Sequence, residues 1–317
     1  MDVGRKNYKG GIITNAFLCT NKFVEHYEWL RAAAEKNNIE VGLWQNDELL
    51  CSFGTYYEEK LRKRLSGYDF LIVWDKDIRL GRQITVLCDE LDIPVFNSIC
   101  AIDICDDKSK TYQKLWEWNR KKHLRDKIPL IKTITAPMTY QNIGFTNLDF
   151  LERVADELSF PIVVKECFGS FGMQVYMASD MDELKEIALR LGGIPHIYQE
   201  FVENSNGRDV RIQVVGDRLV AAMYRYSVDG DFRANITNGA RMVKYEPNRE
   251  ECELALRTVR ALGLDFAGVD ILFSSRDKET ADVVCEVNSN AHFKNIYECT
   301  GVNVAEEIIS YIIEKIR

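Results

Sequence analysis

Short apolar runs and stretches of helical spacing alternate along the first hundred residues. Runs at 11–18, 41–44, 70–74 and 94–96 predict strands, and amphipathic stretches at 22–36, 56–65 and 83–91 predict helices. Parallel strands need a crossover long enough to hold a helix, so this alternation implies a small, doubly wound parallel α/β domain. Its main boundary is expected near residue 105. A helix at 107–125 follows, and Pro129 and Pro137 then bracket an extended segment at 130–136. Further on, a helix at 148–158 is stopped by Phe160-Pro161, because the residue before proline is driven out of the helical region. The β-branched run Ile162-Val163-Val164 leads into Lys165, the loop Gly169-Ser170-Phe171-Gly172 and a strand at 173–177. A helix at 181–191 and strands at 196–201, 208–215 and 219–226 come next. The chain ends with a glycine-punctuated loop at 229–239, a helix at 249–262, strands at 266–273 and 282–287, and a closing helix at 302–316. This second part reads as α+β with antiparallel pairing. The expected division is 1–105, 106–195 and 196–317, without internal repeats.

Composition narrows the function. A chain of 317 residues, 46% apolar and 28% charged, exceeds one ordinary domain and is globular. Its net charge of -8 repels a phosphate backbone, so no nucleic-acid partner is expected. The basic runs at 60–64 and 119–123 are interleaved with apolar residues and read as solvated helix faces. The N-terminal segment is polar and the apolar stretch after Gly11 is too short to span a membrane, which points to a cytoplasmic protein without membrane contact. Nine cysteines without a C-x-x-C pair read as reduced thiols rather than a disulfide framework or zinc site. His26, His123, His196 and His292 are far apart, and the first three are expected to be structural.

Chemistry concentrates downstream. In the strand ending Cys285-Glu286-Val287-Asn288, alternation should bury Val283, Cys285 and Val287 and turn Glu286 and Asn288 the other way. Asp270 sits in an apolar strand, where a lone carboxylate is expensive to ionise without a cation or donors. Three hard oxygen ligands suit Mg²⁺, which completes its octahedron with water and nucleotide phosphates. Carboxylates clustered in this way should repel one another without a cation, so neutralising Asp270 or Glu286 should spare or slightly stabilise the metal-free fold. Lys165 followed by a glycine loop suits a polyphosphate, although a plain hairpin with an exposed lysine has the same spacing. Asp106-Asp107-Lys108 places a second lysine at a helix start.

These residues resemble the ATP-grasp superfamily and, within it, the RimK-like carboxylate–amine ligases. The segments Asp107-Lys108, Val163-Val164-Lys165 with the glycine loop, Gln199-Glu200-Phe201, Gly207-Arg208-Asp209-Val210-Arg211, Asp231-Phe232-Arg233-Ala234-Asn235, Ala267-Gly268-Val269-Asp270-Ile271-Leu272 and Glu286-Val287-Asn288 occur in the family's order over residues 100–317. The resemblance implies an ATP-grasp fold in which two α+β subdomains clasp ATP behind the small parallel domain. It implies that Lys108, Lys165 and the loop residues Ser170, Phe171 and Gly172 contact phosphates. Glu200, Phe201 and Val202 would hold adenine, with Asp209 beside the nucleoside. Asp270, Glu286 and Asn288 would bind a pair of Mg²⁺ ions, replaceable by Mn²⁺. Arg233, Asn235, Arg211 and Arg225 would face the reacting carboxylate.

The implied activity joins a carboxylate to an amine through an acyl-phosphate, with loss of ADP and phosphate. Small-molecule, amino-acid or peptide substrates are expected, as is a homo-oligomer. A small-molecule kinase and a non-catalytic nucleotide-binding protein share the same motifs. After Asn288 relatives commonly continue with a small residue and Pro-Gly, whereas this chain reads Ser289-Asn290-Ala291-His292-Phe293-Lys294. The loop at 290–296, with Arg225 and Arg233, is therefore expected to choose the substrate rather than the nucleotide.

Overall fold

The computed structural model describes residues 8–14, 24–45, 48–169, 172–236, 239–274 and 282–317. Strands β1 (Lys9–Thr14), β2 (Glu40–Gln45), β3 (Phe70–Val73) and β4 (Val95–Phe96) form a parallel sheet in the order β2-β1-β3-β4. Helices α1 (Val24–Glu35), α2 (Tyr56–Leu65) and α3 (Ile78–Glu90) connect them. The sequence of β3, Phe-Leu-Ile-Val, is buried throughout, as a parallel strand covered on both faces must be. Two consecutive helices follow, α4 (Ile99–Asp106) and α5 (Lys108–Arg120). The Asp107 side chain between them caps α5 by accepting the Ser109 and Lys110 N–H groups, which fixes Lys108 at the first helical position.

A second sheet, antiparallel in the order β5-β8-β6-β7, is built from β5 (Thr133–Thr135), β6 (Ile162–Glu166), β7 (Val175–Ala178) and β8 (His196–Glu200). Helices α6 (Phe150–Leu158) and α7 (Met181–Leu191) close a core of their own with it, formed by Leu151, Val154, Ile162, Val164, Leu184, Ala188 and Tyr198 among others. The third sheet, also antiparallel, has the order β11-β10-β9-β12-β13. Its strands are β9 (Arg208–Val215), β10 (Arg218–Tyr226), β11 (Arg241–Lys244), β12 (Phe266–Leu272) and β13 (Val283–Asn288). Helix α8 (Arg249–Leu262) covers one face through Leu254, Ala255 and Val259, which meet Val210, Ile212, Val269 and Ile271. Helices α9 (Lys294–Thr300) and α10 (Val304–Ile316) complete the chain.

Two of the expected boundaries fall at telling places in the fold. The one at 105/106 falls inside α4, and α5 belongs with the third sheet, since Leu115 packs in the α8 core. The one at 195/196 separates β8 from the sheet in which it lies hydrogen-bonded between β5 and β6. The chain enters and leaves this sheet at one point: the Glu200 N–H donates to the Lys132 carbonyl at 3.1 Å, and the Glu200 carboxylate accepts the Lys132 N–H at 3.0 Å.

The first and third sheets share a core. Ile12, Leu30 and Phe70 pack continuously with Val215, Phe266, Phe293, Ile308 and Ile312. Asn97, fully buried after β4, stitches the two: its Nδ2 donates to the Phe266 and Ser289 carbonyls, and its Oδ1 accepts the Asp265 and Phe266 N–H groups. No helix among the described residues is long and apolar enough to cross a membrane.

Candidate active site

Alternation along β9 and β12 sends Val210, Ile212, Val269 and Ile271 under α8, so Asp209, Arg211 and Asp270 emerge on the opposite face, toward the second sheet. Cross-strand register then decides the neighbours. Asp270 lies opposite Arg211 on one side and Glu286 on the other, and Asp209 lies opposite Arg225. A cleft opens between the second and third sheets and is lined by residues of both.

Of the residues singled out from the sequence, Lys108, Lys165, Gly172, Glu200, Phe201, Val202, Asp209, Arg225, Arg233, Asn235, Asp270 and Glu286 line this cleft. Arg211 and Asn288 stand just behind it in the ladder, and Ser170 and Phe171 lie outside the described residues. Lys108 Nζ donates to the Gly169 carbonyl at 3.2 Å and approaches Glu286 at 3.7 Å. The apolar walls Ile131, Val163 and Leu272, together with Phe232, were given no role in the site from the sequence, although Val163, Phe232 and Leu272 lie in the matching segments. An apolar residue at a strand end carries no local mark that separates a ligand wall from ordinary core.

Two of the arginines are engaged by the aspartates. Arg211 holds both oxygens of Asp270 through Nε and Nη2, each at 2.7 Å. Arg225 grips Asp209 at 2.7 and 2.6 Å and reaches Asp270 at 3.0 Å. Arg225 is 3% exposed and Asp270 4%. Both guanidiniums are engaged with the aspartates through Nε and Nη2. Burial alone would raise the Asp270 carboxyl, but Arg211 and Arg225 outweigh it and hold it below the ordinary carboxylate value. At Asp209 burial wins over Arg225 and the carboxyl is pushed up. Arg233 bonds Asp231 and donates Nη1 to the Gly172 carbonyl at 2.7 Å, tying the 229–236 loop to the glycine loop.

Strict alternation also fails along β13. The register skips a residue there: Asp270 faces Glu286 but Ile271 faces Val284, so Cys285 is the extra residue of a bulge. Val284 and Val287 both enter the α8 core, whereas Cys285 turns into the cleft with its Sγ 3.4 Å from Lys165 Nζ. In the loop expected to select substrate, Phe293 and Ile296 are buried in the core shared by the first and third sheets. His292 packs edge-on against His26, with ring centroids 4.3 Å apart.

Asp270, Glu286 and Asn288 offer two carboxylates and an amide from adjacent ladder positions, a donor set that fits a hard cation. Among the described residues no group of three or more His, Cys, Asp or Glu side chains could hold a metal unaided. A cation here would need further oxygens, such as those of a nucleotide's phosphates.

Residues 106–312 match the RimK-like ATP-grasp domain. A probable alpha-L-glutamate ligase of Syntrophotalea carbinolica is 38% identical over 154 residues, which is 48% of this chain and 50% of that protein. The chain thus spans about half the length of that named relative. The uncharacterized MG012 homolog of Mycoplasma pneumoniae is 27% identical over 289 residues, 90% of this chain and 92% of that one. Among solved structures, the ATP-grasp ligase PsnB in complex with a minimal precursor, Mg and ADP superposes with a TM-score of 0.68 at 15% identity, covering 97% of each chain. That likeness shows the fold, and the sequence match reaches the same family independently through the strands that carry the charged ladder. The chain belongs to the RimK-like ATP-grasp family and is an ATP-dependent carboxylate–amine ligase.

Proposed function

We propose that the cleft binds ATP with its phosphates toward Lys108 and Lys165 and its base between Ile131, Val163 and Leu272, against the backbone at Glu200, Phe201 and Val202. The observation that carries this reading is the meeting of two lysines with the Asp270–Glu286 pair across an apolar-walled cleft. One oxygen of the Glu200 carboxylate accepts the Lys132 N–H. Asp209 stands on the nucleoside side. Asp270, Glu286 and Asn288 would hold Mg²⁺, as one or two ions or with Mn²⁺ in its place, which when bound neutralises charge on the phosphates during transfer. Arg211 and Arg225 orient the aspartates. Arg233 and Asn235, on the loop tied to Gly172, face the reacting carboxylate.

In this site a substrate carboxylate oxygen attacks the γ-phosphorus and ADP departs. The acyl-phosphate that results accepts an amine at its carbonyl carbon; phosphate leaves and the nitrogen loses a proton. Water must be kept out until then, because it competes for the same carbon. The acceptor class we assign is amino acids or peptides, in line with relatives named as glutamate ligases. Mass spectrometry after incubation with ATP, Mg²⁺ and a panel of amino acids should find a condensed product with ADP and phosphate in equal amounts. A stable phosphorylated product without condensation would replace the ligase by a kinase.

A further inference from the structure

The order β2-β1-β3-β4 means that the chain leaves β1 toward one side and later returns on the other at β3. The carboxyl ends of β1 and β3 border a topological switch point, where the connections part and open α/β sheets place their ligands. Asp75 lies two residues beyond β3, at that end. It is 4% exposed. Its Oδ1 accepts the Asp77 N–H at 2.7 Å and shapes the turn, but its Oδ2 is buried with no hydrogen-bond partner among the described residues. Above it, Asn290 donates Nδ2 to the Asp75 carbonyl at 3.4 Å, and the Oδ1 of the same amide is likewise buried without a donor among the described residues. Asn290 is two residues past Asn288, so this point adjoins the strand end that carries the charged ladder.

Buried polar atoms are nearly always paired, and a carboxylate oxygen without a donor is among the most expensive exceptions. Here two buried acceptors without donors belong to neighbouring residues, which meet where the Asn290 amide reaches the Asp75 main-chain carbonyl. Both lack an N–H, and one lacks a positive charge. A guanidinium fits poorly, since its fork seeks two parallel carboxylate oxygens and Asp75 has only one to give. A primary ammonium, a compact charge with three donors, fits both. We propose that Asp75 and Asn290 form a subsite for the ammonium group of a substrate, such as the α-ammonium of an amino acid that the enzyme joins. The assignment of this ammonium to a ligation substrate rests on the ligase reading, whereas the subsite itself is a matter of binding. Burial pushes the Asp75 carboxyl up from its ordinary value, so a bound cation would favour its ionised form.

The test is thermal unfolding of the nucleotide-free protein in about 50 mM ethylammonium chloride against sodium, potassium and tetramethylammonium chloride at equal ionic strength. Wild type should gain about 2 °C in ethylammonium over the other salts, as expected for a weak ligand of the folded state. Asp75→Asn, which keeps the acceptor for Asp77, should lose that gain, and Asn290→Ala should reduce it. ADP should stabilise all three proteins alike, so failure of the subsite and failure of the nucleotide site are read separately. No gain in wild type, an equal gain in Asp75→Asn, or the same gain in sodium or potassium would overturn the proposal.

Discussion

Asp270 shows how far a single residue could be read from sequence and where the reading failed. Its apolar surroundings marked it as a carboxylate in need of a partner, and the partners the structure shows are two arginines. Arg211 and Arg225 sit on strands distant in sequence, and only the register brings them to it. The expected stabilisation on neutralising Asp270 is therefore reversed. Asp270→Asn should cost the metal-free protein about 3 kcal/mol, because it leaves buried guanidinium charge uncompensated. Urea denaturation in the presence of a chelator measures this, and an unchanged midpoint would mean that the arginines find other partners. The lysines follow a different logic. Lys108 and Lys165 touch a carbonyl, a thiol and the edge of Glu286, so replacing either removes little that holds the fold. Lys108→Ala and Lys165→Ala should each weaken ATP binding by about tenfold, roughly 1.4 kcal/mol, in calorimetric titration with melting temperature little changed. Unaltered affinity in both variants would remove them from the phosphate site.

Elements with one strong period were legible to the residue: α2, α7, α8 and β9 lie where spacing and caps place them. Asn248 and Glu251 even form a complete capping box at the start of α8. The misses share a cause. Helix α4 reads Ile-Cys-Ala-Ile-Asp-Ile-Cys-Asp, apolar on too many sides to show a helical period, because it is wedged between the cores of the first and third sheets. Strand β11 is an edge strand, mostly exposed, so no face of it is marked by burial. The bulge at Cys285 depends on the partner strand and leaves no trace in β13 itself. Strand β8 carries a testable consequence. His196 is buried and bonds Tyr198 Oη and the Ile194 carbonyl, and burial lowers its pKa below the usual 6.5. The neutral form is thus favoured in the folded state, whereas the unfolded chain takes up a proton near 6.5. Stability from this residue is complete above that pH and is lost as pH falls from there toward the lower folded value. His196→Gln should flatten this part of the pH–stability curve; an identical slope would assign it to other groups.

At the scale of the molecule, the shared core and Asn97 make one body of the first and third sheets, while the second sheet has a core of its own. We propose that the units are 8–131 with 201–317, and 132–200. Opening the cleft then separates Lys108 from Gly169 and Cys167, Lys165 from Cys285, Arg233 from Gly172, and the small cluster around Tyr112, Ile131 and Ile197. Hydrogen exchange should report two levels: amides of β6 and β8 exchanging through partial opening, and those of β1, β9 and β12 only through global unfolding. ATP with Mg²⁺ should slow the first class far more than the second, and uniform protection across all three sheets would contradict the division. The meeting of Lys132 and Glu200 extends the point beyond mechanics. A segment whose two ends touch can be exchanged between genes at a single seam without disturbing the register on either side. The half of the cleft contributed by the second sheet, with Lys165 and the glycine loop, is therefore free to diversify as a cassette, while the charged ladder stays bound to the frame that folds it.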